Sequence, residues 1–296
     1  MGRRLRRDTR HVIEVWVELV GWTREVRGHG RRLLLLAVML AMGLATAELS
    51  SLLAAEALSG YIVNGRRSGY TFLSKENQRL QDDDFANPGL LWVERGRDLW
   101  RQVDGPSAKS CASCHGDAAD SMRGVRTRYP RFDPRHGKLL NLEEQINRCR
   151  AEHLHATPYP YEAEALLALT AYVGHQSHGM PLNVRVDGPA QPFFEAGKVF
   201  FYRRRGQLDL ACAHCHEQYA GQRLRGEVVS QGQINGFPVY RFTWQTLGST
   251  HRMFEWCNAS VRAQPYPYGS DEYVNLELYL AWRGRGLPVE TPAVRR

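Results

Sequence analysis

Apolar side chains recur with helical spacing in four stretches: 89–103 (GLLWVERGRDLWRQV), 162–173, 191–204 (QPFFEAGKVFFYRR) and 270–282. Asn87-Pro88 opens the first as N-cap and first-turn proline. Two shorter helices are expected, one opened by Asn141 and Glu144 as a capping pair, the other starting near Ser249. Alternation is rare. The clearest case is 224–242, where Asn235-Gly236 between QGQI and FPVYRF predicts a two-residue hairpin turn. With 27 Gly and 14 Pro in 296 residues, the pattern reads as mainly α, with helices wrapped in long irregular segments and a small β-hairpin insertion.

The elements come in a repeated order. Each half has an amphipathic helix, then CxxCH (Cys111 to His115 and Cys212 to His216), one further Cys (Cys149 and Cys257), Pro-Tyr-Pro-Tyr, a last helix and Gly-x-Pro. One plan used twice predicts homologous domains at 86–188 and 189–296, the hairpin insertion in the second, and an extra segment at 48–85 before them.

Composition then narrows the class. The net charge is +8, but residues 1–47 hold nine Arg against four acids, so the rest is close to balanced and nucleic acid is not an expected partner. Basic residues ending at Arg32, the apolar run 33–47 and Ala45-Thr46-Ala47 have the order of a signal peptide cleaved after Ala47. The run is short for a membrane span, although an uncleaved anchor is the alternative. No second apolar run follows, so a periplasmic protein free of the membrane after cleavage is expected.

CxxCH is the attachment chemistry of haem c. Two thiols one turn apart add to the porphyrin vinyl groups, and the adjacent His ligates the iron. A Cys₄ zinc site competes for the thiols, but a His directly follows both pairs and about 100 residues separate them. Two haems are therefore expected, held by Cys111 and Cys114 with His115 axial, and by Cys212 and Cys215 with His216 axial. Met180 is a tempting sixth ligand, yet it follows its domain's last helix and its counterpart is Leu287. Cys149 and Cys257 stand at matching points before the last helix and number one per haem. They are the expected axial thiolates; a disulfide between them is the alternative. A thiolate lowers the iron's potential, which suits sulfur chemistry better than relaying high-potential electrons.

The stretches Gly232 to Arg241 (GQINGFPVYR), Trp244-Gln245, Leu247-Gly248-Ser249, His251-Arg252, Cys257-Asn258 and Tyr273 to Gly286, with Gly69-Tyr70-Thr71-Phe72 and Gln81 to Gly89 further upstream, resemble the SoxA family of dihaem cytochromes across nearly the whole mature chain. The resemblance implies two tandem cytochrome c-like domains and an L-cysteine S-thiosulfotransferase. In that activity thiosulfate is joined oxidatively to a cysteine of the SoxYZ carrier, and electrons leave through a SoxX-like monohaem partner. It also implies that Cys257 is catalytic, through a persulfide, and that Cys149 only ligates the other haem. The family often has a substrate-binding Arg where this chain has Met253; Arg252 and Arg262 are the candidate replacements, with Arg203-Arg204-Arg205 as further candidates. A dihaem electron carrier and a tetrathionate-forming thiosulfate dehydrogenase are the alternative functions.

Overall fold

The computed structural model describes residues 58–296 other than 225, together with Met39, Leu40 and Met42. Apart from those three helical positions, the export signal expected in 1–47 lies outside the described residues. Helices begin where a short polar side chain takes up an N–H that has no intrahelical partner. Ser74 opens α1 (Lys75–Asp82), Ser110 opens α3 (Cys111–His115) and Asn141 opens α4 (Leu142–Cys149). Ser249 opens α7 (Thr250–Ser260) and Ser270 opens α8 (Asp271–Arg283). The other long helices are α2 (Leu90–Arg101), α5 (Glu164–His175) and α6 (Gln191–Tyr202).

Helices α2 and α5 cross closely, and so do α6 and α8. Glycine sets both crossings. A Cβ on Gly96 would stand 2.1 Å from the Ala168 carbonyl oxygen, and one on Gly197 would stand 2.0 Å from that of Asn275. Neither distance is possible between real atoms, so only glycine lets the backbones meet. Around the first crossing lies a core of Val93, Leu99, Trp100, Leu167 and Tyr172, and around the second one of Phe194, Phe200, Phe201, Tyr273 and Leu276.

The strands are short. β1 (Ile62–Val63) pairs with β2 (Arg66–Arg67), β3 (Arg131–Asp133) with β4 (Lys138–Leu140), β5 (Arg223–Leu224) with β6 (Glu227–Val228), and β7 (Val239–Arg241) with β8 (Thr246–Gly248), all antiparallel. β9 (Ala293–Arg295) joins β7 in parallel. The hairpins β3–β4 and β7–β8 are counterparts, since each leads directly into the cap of a Cys-bearing helix. They exchange side chains: Leu139 of β4 belongs to the second core, and Leu247 of β8 to the first. Residues 58–296 accordingly form one compact unit with two cores.

Asn235-Gly236 does not turn a hairpin, contrary to its sequence signature. The Asn235 amide donates to the Pro288 carbonyl at 2.8 Å and to Glu290 Oε1 at 2.9 Å, which docks this turn on the C-terminal segment. β7 then pairs forward with β8. Buried Glu290 also accepts from Ser68 and, at 3.1 Å, from Gln81, fastening the N-terminal segment to the same place.

Between the halves lies a second buried polar cluster. Asn141 Nδ2 donates to Glu277 Oε2 at 3.2 Å, and Tyr161 stacks on His251 at 5.4 Å. His251 Nδ1 accepts from the Gly269 N–H, which leaves its proton on Nε2, 3.2 Å from Glu277 Oε2. Glu143 faces Glu277, His251 and Arg126; burial first, then the Glu277 charge, pushes its carboxyl up to about 7. The folded state thus holds this proton to higher pH than the unfolded chain. Its contribution is full below the ordinary carboxyl range and is lost as pH rises through about 7. The denaturation midpoint should therefore fall between about pH 5 and about pH 8, and Glu143→Gln should flatten that fall. Denaturant titrations of both proteins at the two pH values check this.

Candidate functional site

In the first half, Ser110 and Ser113 cap α3 reciprocally: the Ser113 N–H donates to Ser110 Oγ at 3.1 Å, and the Ser110 N–H to Ser113 Oγ at 3.0 Å. This fixes the turn that carries Cys111, Cys114 and His115. Trp100 supports its end, with its ring 5.7 Å from that of His115 and its Nε1 donating to the Gly116 carbonyl at 3.0 Å. Cys149 ends α4, where Gln145 Nε2 lies 3.3 Å from its sulfur. Burial and then the nearby Cys149 push the Cys111 thiol above its ordinary range. Immediately after Cys149 the helix widens into a π turn, Arg150–Leu154. Arg148 and Arg150 are both spoken for: Arg148 pairs with Asp133 and Glu152, and Arg150 with Asp104 at 2.9 Å.

In the second half, Cys212 and Cys215 lie near enough to Cys257 to act on its thiol. Here the π turn, His214–Gln218, takes in Cys215 and His216 themselves. His216 Nδ1 is 2.9 Å from the Ser230 carbonyl, which fixes the ring and reserves Nε2 for a ligand. A cavity of about 460 Å³ opens beside His216, lined also by Arg66, Gln231, Gln233, Trp282 and Arg283. Burial pushes the Cys257 thiol up to about 12; Cys212 and Cys215 add to that rise, whereas the Arg241 charge opposes it. A sulfur with these neighbours needs a metal or a cation to ionise. All six cysteines are free, and among the described residues no three His, Cys, Asp or Glu converge on a bare metal ion. The donor set is of the kind haem c takes: two thiols and an adjacent imidazole in each half, the second with its Nδ1 already oriented by the Ser230 carbonyl.

The arginines expected near Cys257 have partners of their own. Arg252 is half-buried, stacks over Trp244 at 4.5 Å and lies 3.8 Å from Glu162. Exposed Arg262 reaches Gln207 at 3.4 Å. Arg204 pairs with Asp209, and Arg205 bonds Asn258 and the Gln264 carbonyl. The guanidinium that acts on Cys257 belongs to Arg241, a residue with 5% exposure that sequence reading passed over. Its signal was available: Val239-Tyr240-Arg241 puts a charge on the face of a strand that buries Val239. Met180 lies against Gly124, and its carbonyl accepts from the Val289 N–H at 2.9 Å.

Residues 95–182 match the profile of the SoxA/TsdA cytochrome c domain, a domain type that carries covalent haem c. The chain is 46% identical over 243 residues to the L-cysteine S-thiosulfotransferase subunit SoxA of Pseudaminobacter salicylatoxidans, covering 82% of this chain and 85% of that one. It is 44% identical over 229 residues to the subunit of the same name from Rhodovulum sulfidophilum, covering 77% and 80%. The crystal structure of SoxXA from P. pantotrophus is similar, with a TM-score of 0.76 and 40% identity over 78% of this chain and 87% of that one.

Gly232, at φ +71°, gives one test of the His216 arrangement, since a Cβ there would stand 2.8 Å from the His216 Cγ. Gly232→Ala should displace the imidazole and perturb the low-spin spectrum of one haem while leaving the other unchanged. Optical and electron paramagnetic resonance spectra of the oxidised protein check this.

Proposed function

Since the chain belongs to the SoxA family, we propose that it is a periplasmic L-cysteine S-thiosulfotransferase subunit with two haems c, working with a SoxX-like monohaem cytochrome on thiosulfate and a SoxYZ-type carrier. The two cores are read as tandem cytochrome c-like domains, 86–188 and 189–296, preceded by the export signal 1–47 and the segment 48–85. Cys111, Cys114 and His115 hold the first haem with Cys149 opposite; Cys212, Cys215 and His216 hold the second with Cys257 opposite. Among the described residues no helix is long and apolar enough to cross a membrane.

One observation carries the reading: the buried guanidinium of Arg241 near Cys257 spends one edge on Glu227 and keeps a buried Nε–H without a partner, whereas Arg148 and Arg150 beside Cys149 are held by Asp133, Glu152 and Asp104. The overall reaction forms one S–S bond, between the sulfane sulfur of thiosulfate and the carrier cysteine. It releases the thiol proton and two electrons. Bound haem supplies the outlet for those electrons toward the partner cytochrome and an iron–sulfur bond that keeps the thiolate ionised. The protein's share is positioning. Helix α7 presents Cys257, and Arg241, stacked at 4.5 Å on the neighbouring Trp256, opposes the cost of negative charge on the cysteine sulfur. A sulfur that exchanges with a carrier protein must be reachable. Cys149, whose arginine neighbours Arg148 and Arg150 are both paired with carboxylates, serves as a ligand only.

Cys257→Ala should lower the rate of thiosulfate conjugation on the order of 10⁴-fold, with both haems still covalently attached. Cys149→Ala should change one haem's spectrum and keep much of the activity. Mass spectrometry of the carrier adduct, with a haem count, reads both outcomes. Retained turnover in Cys257→Ala contradicts the assignment; tetrathionate in place of an adduct marks a thiosulfate dehydrogenase.

A further inference from the structure

Building on the reading that Cys257 joins thiosulfate to a carrier thiol, we infer that Arg241 binds the sulfonate end of thiosulfate beside Cys257, its guanidinium held in place by Trp244 and Trp256.

The duplication itself supplies the argument. Asp133 ends the first strand of one hairpin and Arg241 the first strand of the other, at the same distance before the caps Asn141 and Ser249. Arg148 and Trp256 each directly precede the Cys, and His136 and Trp244 occupy matching hairpin turns. In the first half these positions form a closed ionic set, with Asp133 bound by Arg148 and, at 2.6 Å, by His136. Those two partners hold the Asp133 carboxyl well below the usual carboxylate range. In the second half the charge is reversed and both of its neighbours are aromatic. Where one repeat places a carboxylate, which repels a dianion, the other places a cation.

The Arg241 guanidinium has its centre 4.5 Å from the Trp256 ring and 5.3 Å from the Trp244 ring. Aromatic contact leaves the N–H edges of a guanidinium to do the bonding. One edge group is used, with Nη2 donating to Glu227 Oε1 at 2.8 Å. The Nε–H is buried and has no protein partner. A buried donor left unpaired is costly, and an oxyanion is the ligand that satisfies it best. Arg252 stacks on Trp244 as well, bringing a second cation to the same indole. Gly248 makes room for this stack, because a Cβ there would lie 2.3 Å from the Trp244 ring. The set supplies charge that Met253 cannot. Its ligand is a small oxyanion; the porphyrin's propionates are the other source of that chemistry.

The test uses the holoprotein with its partner cytochrome, comparing wild type with Arg241→Gln, Arg241→Lys and Glu227→Gln. Initial rates against thiosulfate give KM and kcat, calorimetric titration with thiosulfate gives binding without turnover, and a redox titration gives the potential of each haem. Arg241→Gln should raise KM and the dissociation constant at least about tenfold, with the potential of the first haem unchanged. Arg241→Lys should recover part of the loss, and Glu227→Gln should tighten binding by removing the rival carboxylate. If Arg241→Gln does not fold, Glu227→Gln still decides: unchanged binding there overturns the inference. So does unchanged binding in Arg241→Gln, and a shifted potential with unchanged KM would assign Arg241 to a propionate. Wild-type protein that binds thiosulfate but conjugates none fails the underlying reading, not this inference.

Discussion

The exchange of Leu139 and Leu247 between the two cores is the contact on which both sites depend. Each leucine sits on the second strand of a hairpin, and the next residues cap the helix that carries the axial cysteine. Burying a leucine is worth about 1.5–3 kcal/mol, so separating the halves would expose both side chains and release both helices. The position of each sulfur is thus set by the partner half as well as by its own. Glycine does the complementary work within each half, bringing α2 against α5 and α6 against α8 so that each attachment turn has a rigid floor.

A duplicated frame does not make duplicated chemistry. The backbone of the two hairpins and Cys helices follows one plan, while side chains at matching points differ in charge. Asp133 with Arg148 closes the first site; Arg241 between Trp244 and Trp256 leaves the second with an uncompensated donor beside Cys257. Burial alone would keep the Cys257 thiol protonated, so under the proposed function its ionisation would rest on a bound iron and on the Arg241 charge. That dependence couples the state of the sulfur to the state of the iron.

Much of this was legible in the sequence, because caps and covalent spacing are local. Asn141, Ser249 and Ser270 start helices through their own side chains, and CxxCH carries its geometry within five residues. Tertiary commitments were not legible. Asn235-Gly236 favours a hairpin turn locally, yet its amide is drawn to Pro288 and Glu290, far along the chain. Arg252 stood out as the residue next to the missing Arg, while Arg241, whose charge opposes the rise in the Cys257 thiol, comes from a strand outside that helix. Leu139 and Leu247 look like ordinary strand residues until the two halves are seen to share them.

The most direct measurement is electron paramagnetic resonance of the oxidised holoprotein, with a haem count, before and after adding thiosulfate. Two low-spin haems with thiolate-type signals are expected, of which only the one lost or altered in Cys257→Ala responds to thiosulfate. Signals of histidine–methionine ligation, or an equal response from both haems, would contradict the account of two matched but inequivalent thiolate sites.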